Sequence, residues 1–324
     1  MSQSESNNKW KWLQTFIEPT SALLITLLSL VISIPIFVTL YHLVPPIRIS
    51  LFGGIRIEYI VLELVLFFVL FILIKRFEKM FFLILLCGFA GLGISSLIGG
   101  YSFNNLYYDY SAIVYNLSGH LQEYDFKEEQ NSFRNKEEIR AAINETNPLV
   151  KEKANVFAVA NFKDYQYSFP SKKVLHCFSI FKEVNDRWNY VYDPQGPDYY
   201  SKTSQTLEQM KDDDLLKGDC DDYSILMAGL MKAVGAEVRL VRTEIYDEDR
   251  TIGHLYPELK IGDEKDLERI AYFIQNELFI KESKGKNIFY YIDGDGAVWL
   301  NMDYNDDYPG GPYQSMVRKS ILPL

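Results

Sequence analysis

Residues 21 to 44, SALLITLLSLVISIPIFVTLYHLV, contain no Asp, Glu, Lys or Arg. A charge-free apolar stretch of that length is what a helix needs to cross the hydrocarbon core of a bilayer. A chain that carries it must satisfy two solvents. Pro35 falls inside the run and predicts a kink, because it removes one helical hydrogen bond. A second apolar run spans residues 59 to 76 and contains Glu63, with Arg56 and Lys75 placed to snorkel at its ends. A third spans 80 to 100 and sets Gly91, Ser95 and Gly99 at steps of four, a face on which another helix can approach closely. The GFAGLG within it has no strand before it and lies among lipid-compatible residues, so it is not read as a phosphate loop. The expected organisation is a cytoplasmic tail at 1–20 and a membrane domain at 21–100 with three transmembrane helices. A stalk follows at 101–147, then a folded domain at 148–324.

Lys9, Lys11, Lys75, Arg76 and Lys79 lie on one expected side of these runs, against Arg48 and Arg56 on the other. Positive charge favours the cytoplasmic side. The N-terminus is therefore expected inside, and everything after Gly100 extracytoplasmic, in a multi-pass protein of the cytoplasmic membrane. A cleavable signal peptide fits poorly, since the first run is too long and two more follow. Glu63 reads either as a functional intramembrane carboxylate or as one hydrogen-bonded between packed helices, and the second is favoured.

Beyond residue 100 the chain has the composition of a water-soluble domain. Of 33 Lys/Arg and 43 Asp/Glu, residues 1–100 hold seven and five, leaving 26 against 38 and a formal charge of −12. That field argues against nucleic acid as a partner, because no basic surplus remains to displace phosphate counterions. The three cysteines, Cys87, Cys177 and Cys220, show no zinc-ligand spacing, and no metal or other cofactor is expected. Cys177 and Cys220 could pair in an oxidising compartment, but the surroundings of Cys220 point elsewhere.

The stretch from 203 to 245, TSQTLEQMKDDDLLKGDCDDYSILMAGLMKAVGAEVRLVRTEI, is the most informative. Ile225, Leu226, Gly229, Leu230 and Ala233 recur on one helical face, Asp219 is placed to cap the start, and Gly235 sits where a left-handed cap ends a helix. Cys220 thus opens a buried helix. AEVRLVRTEI and GHLYPELKI alternate as strands, and IFYYIDGDGAVWLNMDY reads as a hairpin turning at its glycines. A thiol at a helix N-terminus sits in the positive end of the dipole, which favours thiolate, whereas Asp219, Asp221 and Asp222 oppose it. The thiolate therefore needs a cationic partner, and an imidazolium held by a carboxylate supplies one. His254 and Asp303 are the candidates. His42, His120 and His176 stand in no motif, DGDG at 293–296 lacks the spacing of a calcium loop, and NDDYPGG reads as a solvated loop.

GDCDDYSILMAGLMKAVGAEVRLV, GHLYPEL and VWLNMDYNDDYPGG resemble the three motif blocks of the transglutaminase-like superfamily over roughly residues 148 to 311, in its bacterial membrane-attached form. The resemblance implies an α+β, papain-like core, a central helix against a small antiparallel sheet. It also implies a catalytic triad of Cys220, His254 and Asp303, with an upstream oxyanion donor matched to Trp188, or to its rival Tyr190. The expected activity is cysteine acyl transfer on a protein or peptide substrate, or on cell-envelope material. Hydrolysis through a thioester is favoured; cross-linking to an amine and a catalytically silent binding domain are the alternatives. The sequence departs from the pattern in a long insertion at 262–287, readable as a lid over the cleft or as a passive surface helix.

Overall fold

The computed structural model describes residues 22–37, 40, 57–116, 119–129, 131–192, 199–247 and 250–324. The N-terminal tail, His42, Arg48 and Arg56 lie outside the described residues. The chain forms two compact units, Met1–Leu117 and Ser118–Leu324.

The first unit is helical: α1 Ala22–Phe37, α2 Ile57–Arg76, α3 Glu78–Leu97 and α4 Phe103–Asn116. Among the described residues only α3 is both long and apolar enough to cross a membrane. The described residues do not carry the expectation of three spans. The described part of α1 is shorter than a span, while α2 is as apolar as α3 and carries Glu58, Glu63, Lys75 and Arg76. Beyond its first turn helix α3 is apolar on every side, and it buries none of its residues. Among the described residues no atom outside the helix's own backbone lies within 4 Å of where a Cβ at Gly91 would stand, and Gly99 falls beyond the helix end at φ +76°. Glu63 does meet a neighbouring helix, its Oε1 accepting from Ser33 Oγ at 2.6 Å.

The second unit packs helices on a curled mixed sheet. Its helices are α5 Lys136–Ile143, α6 Pro148–Ala158, α7 Lys172–Asn185, α8 Thr203–Glu208, α9 Met210–Asp213, α10 Cys220–Ala233 and α11 Glu264–Phe273. The strands are β1 Leu121–Glu123, β2 Lys127–Glu128, β3 Trp188–Tyr190, β4 Leu216–Gly218, β5 Val238–Asp247, β6 Arg250–Gly262, β7 Ile288–Ile292, β8 Val298–Asn301 and β9 Val317–Pro323. The main sheet runs β1-β7-β8-β6-β5-β9-β2, with its five middle strands antiparallel and its two edge strands parallel to their neighbours.

Only Tyr124, Asp125 and Phe126 separate β1 from β2, yet these strands sit on opposite edges. The sheet must curl to bring its edges that close. Within the stretch 101–147, α4 belongs to the first unit, while residues 121–128 close the sheet of the second. Strands of two and three residues are too short to show alternation in sequence.

Tyr124 and Phe126 pack with Tyr313, at ring separations of 4.9 and 4.8 Å. Behind them the buried carboxylate of Glu258 accepts from Arg239 Nε at 2.6 Å and also from Arg318 Nη2. Each guanidinium lies on a ring, Arg318 at 3.7 Å from Phe126 and Arg239 at 4.0 Å from Trp299. A buried carboxylate without partners would cost several kcal/mol. Here two cations satisfy it and cross-link β5, β6 and β9, while aromatic faces replace part of the cations' lost hydration.

Helix α10 is the core element, with every residue from Asp222 to Met231 buried. Asp219 caps it by accepting from the Asp221 and Asp222 amides at 2.9 and 3.2 Å, and Gly235 closes it at φ +81°. Gly229 lets α8 and the end of α5 approach: a Cβ there would stand 2.3 Å from Thr203 Oγ1 and 2.7 Å from the Ile143 carbonyl oxygen. The 262–287 insertion is neither lid nor passive surface helix. Its α11 runs into a π-helical turn, Ile274–Leu278, and its Phe273 and Phe279 pack on Phe169, Phe178 and Phe181 beside α7.

Gly229→Ala should therefore lower stability by about 1–3 kcal/mol, since one contact is with backbone and cannot rotate away. Gly294→Ala, with nothing within 4 Å, should change it by less than about 0.5 kcal/mol. Thermal unfolding of the full chain in detergent, followed by circular dichroism, compares the two.

Candidate active site

Cys220 is the first residue of α10, and the way the chain reaches it is closely constrained. Gly218 precedes the cap, and any Cβ there would stand 2.5 Å from the Asp222 Cβ. The buried Asp222 carboxylate accepts from the Ser201 amide at 2.9 Å, tying down the loop before α8. The Ser224 hydroxyl, one turn into the helix, lies 2.7 Å from the Cys220 carbonyl oxygen and 2.8 Å from that of Leu255. It thus fixes the first turn of α10 against β6 beside His254.

Of the three aspartates expected to oppose a thiolate, Asp219 is the helix cap and Asp222 is the loop anchor. Asp221 alone has its carboxylate at the sulfur, at 3.8 Å. Burial pushes the Cys220 thiol above its ordinary range, and the Asp221 charge pushes it further. A backbone hydrogen bond from Leu255 works in the other direction, and Asp219 and Asp303 add smaller upward contributions.

His254 is buried on β6, and its Nε2 lies 2.6 Å from Asp303 Oδ2. Asp303 follows β8, and the antiparallel pairing of β8 with β6, Asn301 opposite Glu258, brings the two together despite the intervening insertion. The Met302 amide donates to the Pro257 carbonyl at 3.0 Å, pinning the loop. Asp303 is itself held: Oδ1 accepts from the Tyr304 amide at 2.9 Å, and Oδ2 accepts from Asn305 Nδ2 at 2.7 Å and Gln314 Nε2 at 3.4 Å. With Nε2 engaged, the other ring nitrogen of His254 is the one left to exchange a proton. Asp306 instead lies 3.6 Å from Lys286 Nζ.

Two clefts meet at Cys220, Gly253 and His254. The larger, about 620 Å³, is polar and includes Arg134, Asp221, Arg242 and Thr243. The smaller, about 410 Å³, is aromatic, with Tyr190, Tyr192 and Tyr304 among its walls. Trp188 lines neither and packs its ring edge-on against Tyr223 at 5.1 Å. Tyr190, two residues on along β3, reaches the cleft, and its hydroxyl is pushed up to about 12, by burial first and then by the neighbouring Cys220. Cys177 is fully buried within α7, Cys87 is exposed on α3, and all three cysteines are free thiols. The imidazole of His176 is lowered from its ordinary value by burial and by Lys172, away from both clefts.

Residues 163–304 match the model of the transglutaminase-like superfamily. This segment is a transglutaminase-like domain. It runs from just before α7 to just past Asp303, so all of Cys220, His254 and Asp303 fall inside the match. The superfamily includes cysteine peptidases and acyltransferases. No curated protein and no solved structure matches the chain.

Sequence reasoning missed Ser224, Asn305 and Gln314. The first two stand beside motif residues, in CDDYS and MDYN, but only packing shows which neighbours a polar side chain serves.

Asp221→Asn should shift the pH profile of Cys220 alkylation to lower pH, because it removes the largest charge contribution holding the thiol protonated. Near neutral pH the alkylation rate should rise by about three- to tenfold, read by mass spectrometry of the Cys220 peptide after iodoacetamide treatment. An unchanged profile would show that Asp221 does not act on the sulfur.

Proposed function

We propose that this domain is a cysteine acyl-transfer enzyme that hydrolyses peptide or amide bonds through a thioester, with Cys220, His254 and Asp303 as its triad. The observation that carries the reading is the buried 2.6 Å contact between His254 Nε2 and Asp303 Oδ2, with His254 and Cys220 on the wall of one cleft. In this mechanism His254 takes the thiol proton and Asp303 stabilises the resulting imidazolium. That cation offsets the burial and the acidic neighbours that hold the thiol protonated. The thiolate attacks the carbonyl carbon, and the imidazolium gives its proton to the leaving amine. Water, activated by the neutral ring, then cleaves the thioester and restores the thiol.

The developing oxyanion faces the N-terminal end of α10, where backbone amides and the helix dipole favour negative charge. Tyr190, which lines the cleft, replaces Trp188 as the proposed side-chain donor. The larger cleft is open and polar, which supports water as the acceptor.

Cys220→Ala should abolish covalent labelling by acyl electrophiles and all turnover, and His254→Ala should reduce labelling near neutral pH by roughly a hundredfold or more. Asp303→Asn should be milder than either, since it orients the ring without bonding to substrate. Cys177→Ala should label like the native protein. Equal damage from Cys177→Ala in a folded chain would remove Cys220 from the role of nucleophile.

We propose further that the apolar first unit holds the domain at a membrane, supported by the uniformly apolar α3. The lysine and arginine asymmetry supports an outward-facing domain, a reading that needs an odd number of crossings. The full chain should stay in the membrane pellet after alkaline carbonate washing, and a C-terminal reporter active only in the cytoplasm should remain silent. Release by carbonate, or a strong reporter signal from intact chain, would overturn the respective half.

A further inference from the structure

The two clefts that meet at Cys220 differ in chemistry, and the difference bears on what can be bound. In the larger cleft Lys319 is spent, lying 3.0 Å from Glu244 and 3.2 Å from Glu129. Asp219 is turned to the amides of its own helix. Two arginines remain, together with Asp221, whose carboxylate lies at the sulfur. Neither Arg134 nor Arg242 has a carboxylate partner among the described residues, in a unit where Arg187, Arg239 and Arg318 all do.

Arg242 projects from β5, next in the strand to Thr243, which pairs with His254. Its guanidinium carbon lies 5.3 Å from the centre of the Phe133 ring, its Nη2 is 3.5 Å from the Tyr200 hydroxyl, and its buried Nε has no hydrogen-bond partner. An arginine held by a ring and left without a counter-charge is pre-ordered for a planar anion. The smaller cleft offers the opposite surface: Tyr192 and Ile252 expose 82% and 48% of their area at its mouth, beside the half-buried Tyr304. Exposed apolar side chains grouped beside a reactive centre mark a surface for an apolar group.

We propose that the substrate carries a carboxylate on the Arg134–Arg242 side of the reacting carbonyl and an apolar or aromatic group on the Tyr190–Tyr304 side. The substrate class is thus an acidic peptide or an amide of an acidic acyl group. This rests on Cys220 being the nucleophile, as proposed above. It also fits an acidic domain: the net charge of the unit repels anions in general, so a local pair of unneutralised arginines serves selection rather than bulk attraction.

The test compares two reagents that differ by one negative charge. Iodoacetate and iodoacetamide both place a carbon at the sulfur and lose iodide, but only iodoacetate brings a carboxylate. Their rates at Cys220 are measured separately on the full chain in detergent by mass spectrometry. Their ratio cancels any common change in thiol reactivity. In the double variant R134Q/R242Q the iodoacetate to iodoacetamide ratio should fall by about tenfold, the loss of one charge-assisted hydrogen bond. R242K alone should keep most of the ratio, and raised salt should lower it in the native protein. K281Q, which removes a charge outside the cleft, should leave it unchanged.

An unchanged ratio in the double variant, with Cys220 labelled by both reagents, overturns the carboxylate site and leaves the nucleophile standing. An equal fall in K281Q also overturns it, because net charge would then account for the effect. If neither reagent labels Cys220 in a folded chain, the proposed nucleophile falls and the substrate class with it.

Discussion

Helix α10 is buried over almost its whole length, and most of the second unit is arranged around that fact. Five large side chains, Ile225, Leu226, Met227, Leu230 and Met231, lie wholly inside, each contributing about 1.5–3 kcal/mol by leaving water. A helix so enclosed has no freedom to slide or rotate. Its first residue is therefore fixed, and so is the sulfur that residue carries. The close approach at Gly218, the Asp219 cap and the Ser224 contact with β6 all act at or near the reactive end, while Gly229 admits α8 farther along the helix. Positioning of the thiol is a by-product of core packing.

The opposite side of the site depends on strand pairing. Asp303 comes within 2.6 Å of His254 because β8 lies beside β6 in register, and the sequence between them is long but leaves the sheet and returns. The excursion is used: α11 and its π-helical turn bury Phe273 and Phe279 against α7, adding apolar core behind α10 without touching the clefts. The other face of the sheet is locked by Glu258 between Arg239 and Arg318, which spans three strands. Opening the curl would expose or strand a charge, so this network specifies one sheet geometry more than it adds net stability.

Electrostatics at the sulfur run against a simple helix-dipole account. Burial and the Asp221 charge both push the Cys220 thiol up, opposite to the direction in which a helix N-terminus acts. In the proposed mechanism a neighbouring imidazolium offsets both. A buried thiol with no such neighbour, Cys177, is raised in the same direction by burial alone.

Much of this was legible in the sequence because it rests on local rules. An aspartate before an apolar helix and a glycine after it announce the bounds of α10, and alternation announces β5 and β6. The order of the three motif blocks then brought Cys220, His254 and Asp303 forward as one set of candidates. What sequence could not show was whatever depends on residues far apart. Strands of two or three residues carry no period, so the closure of the sheet by residues 121–128 was invisible, as was the use of the insertion as core. Trp188 and Tyr190 stand two apart on β3, and only the fold shows that Tyr190 lines the cleft while Trp188 packs on Tyr223. The sequence by itself determined which residues are candidates for chemistry, since that follows from side-chain type and near neighbours. The tertiary structure decided which of them meet, because contact across a sheet is set by strand register and not by separation along the chain.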